Sequence, residues 1–133
     1  MSLCDFKGAA YALEQVILGS PLDSEMHCLL AEVYATIGGL ANLMLARKHM
    51  CQALELNASN VRAQFGLVSV ANQYLEESAA AGKKEVDEHE VLVAKELVKY
   101  GASEVLKSYK GNKKMLEVVK RVMDDYTDNL DEL

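Results

Sequence analysis

Two sets of side chains recur along this sequence at one offset of 37 residues, and an internal repeat constrains a fold more than any other feature a chain can carry. Small or apolar residues at Ala9, Leu13 and Val16, with Pro21 beyond, are spaced 4, 7 and 12 residues from the first. Ala46, Met50, Ala53 and Ala58 repeat those spacings, and Leu30, Ala31 and Tyr34 recur as Leu67, Val68 and Ala71. Spacings of 4 and 7 place side chains on one helix face, and small residues such as Ala9, Ala46 and Ala53 let a neighbouring helix approach closely. The repeating unit is therefore a pair of antiparallel helices.

Helices are predicted over residues 5–18, 23–37, 40–56 and 60–77. Pro21 stops the first, because it lacks an amide donor and fixes its own φ; Asp23 or Ser24 can cap the second. Gly38-Gly39 separates the second from the third, and residues 57–60 the third from the fourth, with Asn60 as N-cap. After residues 79–84 the pattern changes. Val86, Val93, Leu97, Tyr100 and Leu106 predict a long fifth helix over residues 85–110, and Met115, Val118, Val119, Val122 and Met123 a sixth beyond the Gly111-Asn112 break. Gly101 interrupts the fifth helix at a cost of about 1 kcal/mol against Ala, which a long helix tolerates.

The 133 residues suit one domain with one core, half of them are hydrophobic, and only one is proline. Good helix formers dominate, so the class is all-α. A single helical-repeat domain over residues 1–133 is expected: repeats in 1–78, a long helix and a capping helix in 85–128, and an acidic tail in 129–133. The last two helices either continue the repeat stack or cover the apolar face of the fourth.

Net charge is −6 and the pI about 5.0, so nothing global draws the chain to nucleic acid or an anionic membrane. Cys4, Cys28 and Cys51 are odd in number and lie 24 and 23 residues apart without a C-x-x-C pair. They read as buried thiols, with neither a disulfide framework nor a zinc site. No N-terminal stretch has the layout of a secretory signal, and the longest uncharged stretches, 33–46 and 65–75, are shorter than a membrane helix. A soluble protein without a membrane span is expected. Leu130-Asp131-Glu132-Leu133 resembles a lumenal retention tetrapeptide, which is read only on proteins already in the lumen. Asp124, Asp125, Asp128, Asp131 and Glu132 read instead as a frayed acidic end.

No pattern for catalysis stands out. His27, His49 and His89 lie 22 and 40 residues apart, without the spacing of a metal motif; His27 reads as a satisfied histidine between helices. Cys28 and His27 are adjacent, which points them about 100° apart on a helix and away from a shared proton. Glu85, Asp87, Glu88 and Glu90 lack the glycine and loop spacing of a calcium site and suit a first helical turn. Gly38-Gly39 lacks the strand and the G-K-[ST] ending of a phosphate loop. Lys107, Lys110, Lys113 and Lys114 form a local basic cluster that reads as a solvated connector, with contact to anionic headgroups or RNA phosphate as the alternative. No cofactor, metal or catalytic residue is assigned.

The helix-turn-helix periodicity resembles the tetratricopeptide repeat, whose units of about 34 residues stack into a right-handed superhelix. Leu30-Ala31-x-x-Tyr34 resembles its first helix, and Ala46, Met50 and Ala53-Leu54-x-Leu56 its second. Three extra residues between Tyr34 and Ala46 account for the longer period. Gly38-Gly39-Leu40-x-Asn42-Leu43-x-Leu45-Ala46-Arg47-Lys48, then Gln52-Ala53-Leu54-x-Leu56-Asn57 and Arg62-Ala63-x-Phe65-Gly66-Leu67, is similar to the C-terminal part of the tetratricopeptide-repeat subunit family of the endoplasmic reticulum membrane protein complex. Members of that family have further repeats upstream, so the chain is expected to open on the second helix of a repeat. The resemblance implies a cytoplasmic, peripheral protein on the cytosolic face of that membrane. It implies a non-catalytic scaffold that holds other subunits of a membrane complex inserting transmembrane segments.

In such repeats the first helices line the concave surface, so Glu25, Cys28, Glu32 and Ala35, with Arg62, Phe65 and Ser69 of the next unit, are the expected partner contacts. Residues 65–67 admit two registers, differing by one residue. A co-chaperone or adaptor module gripping a peptide carboxylate is the rival reading, but Glu32 opposes a carboxylate and Arg62 is the one matching cation. The first helix, without its partner, is expected to expose Phe6, Leu13 and Ile17 and to favour self-association.

Overall fold

The computed structural model describes residues 3–82 and 86–130. Among them there are six helices and no strand: α1 (Leu3–Gly19), α2 (Ser24–Ile37), α3 (Leu40–Leu56), α4 (Val61–Ala80), α5 (Glu88–Ser108) and α6 (Lys113–Asp128). The all-α reading holds, and α2 and α3 have the bounds their caps dictate. Lys83, Lys84 and Glu85, together with Asp131, Glu132 and Leu133 of the terminal tetrapeptide, lie outside the described residues.

Each cap follows from its side chain. The carboxylate of Asp23 accepts from the Met26 amide, and the carbonyls of Asn60 and Asn112 accept from the amides of Ala63 and Met115. Asp87 does the same for the His89 amide, so α5 begins at Glu88 rather than at residue 85. Gly38 and Gly39 have φ of +82° and +90°, a region open to glycine and strained for other residues. Two consecutive glycines therefore turn α2 directly into α3, and a Glu77 carboxylate oxygen accepts from the Gly39 amide at the positive end of α3.

Helices adjacent in sequence pack on one another, and α2 also touches α4. The Ser24 hydroxyl at the start of α2 donates to the Ala53 carbonyl near the end of α3, so that pair is antiparallel. Gln64 near the start of α4 accepts from Ser108 at the end of α5, which sets the next antiparallel pair. One hydrophobic cluster runs from Ala10 to Leu130. Leu30, Leu43, Leu67, Leu75, Val98 and Val105 are fully buried along it. Arg47 of α3 and Glu90 of α5 form an ion pair at 2.7 Å, with about a fifth of each side chain exposed.

Two expectations need correction. Leu13 and Ile17 pack against the core and Phe6 is half-buried, because α1 lays that face on α2. Its exposed apolar residues are Tyr11, Val16 and Leu18. Gly101 is not a passive interruption: it is buried where α5 crosses α4, and a Cβ there would meet Val68 Cγ2 at 2.6 Å.

Candidate protein-interaction surface

The α2 and α4 faces bring together most of the residues expected at the contact surface. Arg62, on the first turn of α4, reaches across to α2 as a planar fork. Its Nε and Nη2 donate to the two Glu32 carboxylate oxygens at 2.7 and 2.5 Å, and its Nη1 donates to Glu25 at 3.2 Å. This bidentate geometry suits guanidinium and carboxylate. The hydrogen bonds to Glu32 raise the guanidinium pKa further above its ordinary value, against a smaller opposing effect of burial. The groups are roughly half exposed, so the cluster contributes little to stability.

Beside this fork lies a cleft of about 300 Å³, lined by Glu32, Ala35, Thr36, Gly66, Ser69 and Gln73, with Met50 and Val70 also on its wall. Gln73 donates to the Ala35 carbonyl at 3.1 Å and holds the two helices in register. Glu32, Ala35 and Ser69 therefore share one cleft, and Arg62 is tied to it through Glu32. Phe65 turns toward α5, where its ring meets Tyr109 edge-on at 6.3 Å. Gly66, not Phe65, lines the cleft.

Cys28 is the one expected contact that the structure removes from the surface. Its side chain is fully buried, on the helical stripe of Glu25 and Glu32, and its sulfur receives a hydrogen bond from Asn60 at 3.5 Å. Burial, with Glu25 adding to it, pushes the thiol pKa up to about 11, and burial also raises that of Cys51. Neither thiol is an activated nucleophile.

Sequence reasoning missed a histidine pair between α2 and α3. His27 Nε2 lies 2.9 Å from the Pro21 carbonyl, which can only accept, so that nitrogen carries a proton. His27 Nδ1 lies 3.0 Å from His49 Nδ1, and the rings stack with centroids 5.3 Å apart. With both rings neutral, His49 donates and His27 accepts. Tyr34 stacks on His49 and donates its hydroxyl to Glu14 of α1; burial and that hydrogen bond raise its pKa to about 12. A signal did exist, because the positions lie symmetrically about Gly38, as facing residues of one helical hairpin must. Among the described residues no group of three or more His, Cys, Asp or Glu could hold a metal ion.

Burial, His27 and Lys48 lower the His49 pKa from 6.5, against an opposing pull from Glu14. The unfolded chain therefore protonates first as pH falls. The stability tied to neutral His49 is complete above 6.5 and is lost as pH drops through the lowered folded value. The melting midpoint should fall between about pH 7 and about pH 5, and His49→Gln should flatten that part of the profile. An unchanged slope in His49→Gln would remove His49 as its source.

Among the described residues no helix is long and apolar enough to cross a membrane. No protein-family model matches the chain. Curated relatives do. ER membrane protein complex subunit 2-A of Xenopus laevis is 38% identical over 108 residues, covering 79% of this chain and 33% of the relative. ER membrane protein complex subunit 2 of Xenopus tropicalis is 49% identical over 63 residues, covering 47% of this chain and 21% of the relative. Subunit 2-B of Xenopus laevis is 40% identical over 83 residues, covering 62% and 28%. The resemblance read from the sequence is thus borne out, and the chain spans about a third of the length of the first of these relatives.

Proposed function

We propose, from the similarity to ER membrane protein complex subunit 2, that the chain is a non-catalytic scaffold whose α2–α4 surface holds other subunits of a membrane-bound complex. The single observation that carries this reading is the 38% identity extending over 79% of the chain. In this reading the helices are tetratricopeptide-type hairpins of one right-handed superhelical domain, closed by α5 and α6. The protein sits peripherally on the cytosolic face of the endoplasmic reticulum membrane and supports insertion of transmembrane segments.

The surface suits a protein partner. A cleft with the Gln73 amide on its wall, beside an ion-pair cluster, offers shape and polarity together. Arg62 is already held by two carboxylates. A peptide carboxylate would have to displace both, which disfavours the co-chaperone alternative.

The test is affinity capture of the tagged chain from a detergent extract of its own cells, beside Arg62→Glu and Ser69→Arg. Recovery of multispanning endoplasmic reticulum proteins should fall about tenfold in each variant, equivalent to about 1.4 kcal/mol, with helicity unchanged. Recovery of cytosolic chaperones alone would move the assignment to the adaptor reading.

A further inference from the structure

A second cleft, of about 550 Å³, opens between α5 and α6 on a different part of the molecule. Ala102, Leu106 and Leu116 are among the residues lining it, and so are Lys99, Lys107 and Lys110. Positions 99, 103 and 106 follow helical steps of four and three on one α5 face, and Lys110 lies in the turn just beyond the Tyr109 C-cap, at the far end of the cleft from Lys99. Within the helix, eight residues set Lys99 and Lys107 about 12 Å apart along the axis, with Ala102 and Leu106 between them in the sequence.

These cations are open to exchange. Lys99 meets Glu96 at 3.7 Å and Lys107 meets Glu104 at 3.2 Å, both on the same helix and with the lysines mostly exposed; such pairs are weak. Lys110 has no ion pair among the described residues. Residues 99–121 carry seven of the chain's 14 Lys and Arg, against Glu104 and Glu117, in a protein whose net charge is −6. Asp124, Asp125 and Asp128 follow on α6, yet the residues lining the apolar cleft itself include three lysines and no carboxylate.

We propose that this cleft docks an amphipathic helix of a partner protein, one that carries acidic residues on both sides of a short apolar stretch. The apolar residues would cover Ala102, Leu106 and Leu116, and the carboxylates would meet Lys99 at one end and Lys107 and Lys110 at the other. Helix-in-groove recognition uses this division of labour. Nucleic acid would use the lysines and leave the apolar floor unexplained. This docking site is separate from the α2–α4 surface and stands whether or not that reading holds.

The probe is a labelled helical peptide about three turns long, with Glu at both ends and Leu between, titrated with the full chain and followed by fluorescence anisotropy. It should bind, weaken with added salt, and bind about tenfold more weakly to Lys99→Glu/Lys110→Glu. Lys7→Glu/Lys48→Glu, which removes the same charge elsewhere, should bind as the original does. Both variants change exposed side chains, and equal melting midpoints check their folding. Absence of binding at about 1 mM, a weak affinity by any interface standard, overturns the proposal. So does equal binding of the peptide with Lys in place of Glu, or equal weakening by the control pair. Capture of the chain by phosphatidylserine vesicles, sensitive to Lys99→Glu/Lys110→Glu while the acidic peptide is ignored, would assign the cleft to lipid instead.

Discussion

Asn60→Ala should lower the unfolding free energy by about 3 kcal/mol, read from urea denaturation midpoints at constant slope. The side chain is 6% exposed and serves three segments at once. Its carbonyl caps α4 through the Ala63 amide at 3.1 Å, and its amide donates to Ser24 Oγ at 2.8 Å and to Cys28 sulfur at 3.5 Å on α2. Ser24 passes the link on to the Ala53 carbonyl of α3. Losing the cap costs about 1 kcal/mol. Leaving the neighbouring polar groups without this partner in a closed space costs about 1–3 kcal/mol more. Asn60→Ser separates the two contributions, since a hydroxyl can cap the helix but is too short to reach α2. Recovery of about 1 kcal/mol relative to Asn60→Ala is expected. A loss below about 1 kcal/mol for Asn60→Ala would mean that the link to α2 contributes nothing.

Gly101→Ala should destabilise by about 1 kcal/mol, opposite in sign to the same change at an exposed helical site. Helix propensity alone would favour Ala by about 1 kcal/mol. Packing opposes it. The new methyl would lie 2.6 Å from Val68 Cγ2, with the Gln64 carbonyl at 3.4 Å and the Val68 amide at 3.5 Å behind it. Val68 is held to one rotamer in a helix and is fully buried, so α5 must shift from α4, at an overpacking cost of about 1–3 kcal/mol before any propensity gain. Val68→Ala supplies the control. By itself it should cost about 2 kcal/mol for lost burial, but combined with Gly101→Ala the losses should fall short of additive by about 1 kcal/mol. A Gly101→Ala protein more stable than the original would show that the crossing has room to spare.

The two changes also show how far the sequence could be read. Asn60 was legible as a cap because capping is local: an amide side chain three residues before an unsatisfied N–H. The boundaries of α2 and α3 were legible for a related reason, since Pro21, Asp23, Gly38-Gly39 and residues 57–60 stop or start a helix locally, while the 37-residue offset reports the faces that must be buried. Gly101 was legible only as a weak point in a helix, because its role depends on a second helix arriving at that residue. Periodicity describes one helix at a time and carries no crossing point.

The same limit explains the contact surface. Glu25, Glu32 and Arg62 were placed on one face by repeat register, and their ion pairs follow from α2 and α4 lying side by side. Cys28 shares the helical stripe of Glu25 and Glu32, yet Asn60 at the start of α4 covers its sulfur and buries it. Phe65 differs for another reason. Tyr109, 44 residues later, offers an aromatic edge that nothing in the repeat pattern announces.

In a stack of helices where each touches mainly its sequence neighbours, an end can peel away while the rest stays folded. The link through Ser24, Ala53 and Asn60 works against that in the middle of this chain. It fastens the start of α2, the end of α3 and the start of α4 at one place, so none of these helices can separate without breaking a bond that serves another. α1 and α6 lie outside it. The middle of the molecule is therefore a single cooperative unit, with α1 packed against it on one side and α5 and α6 on the other.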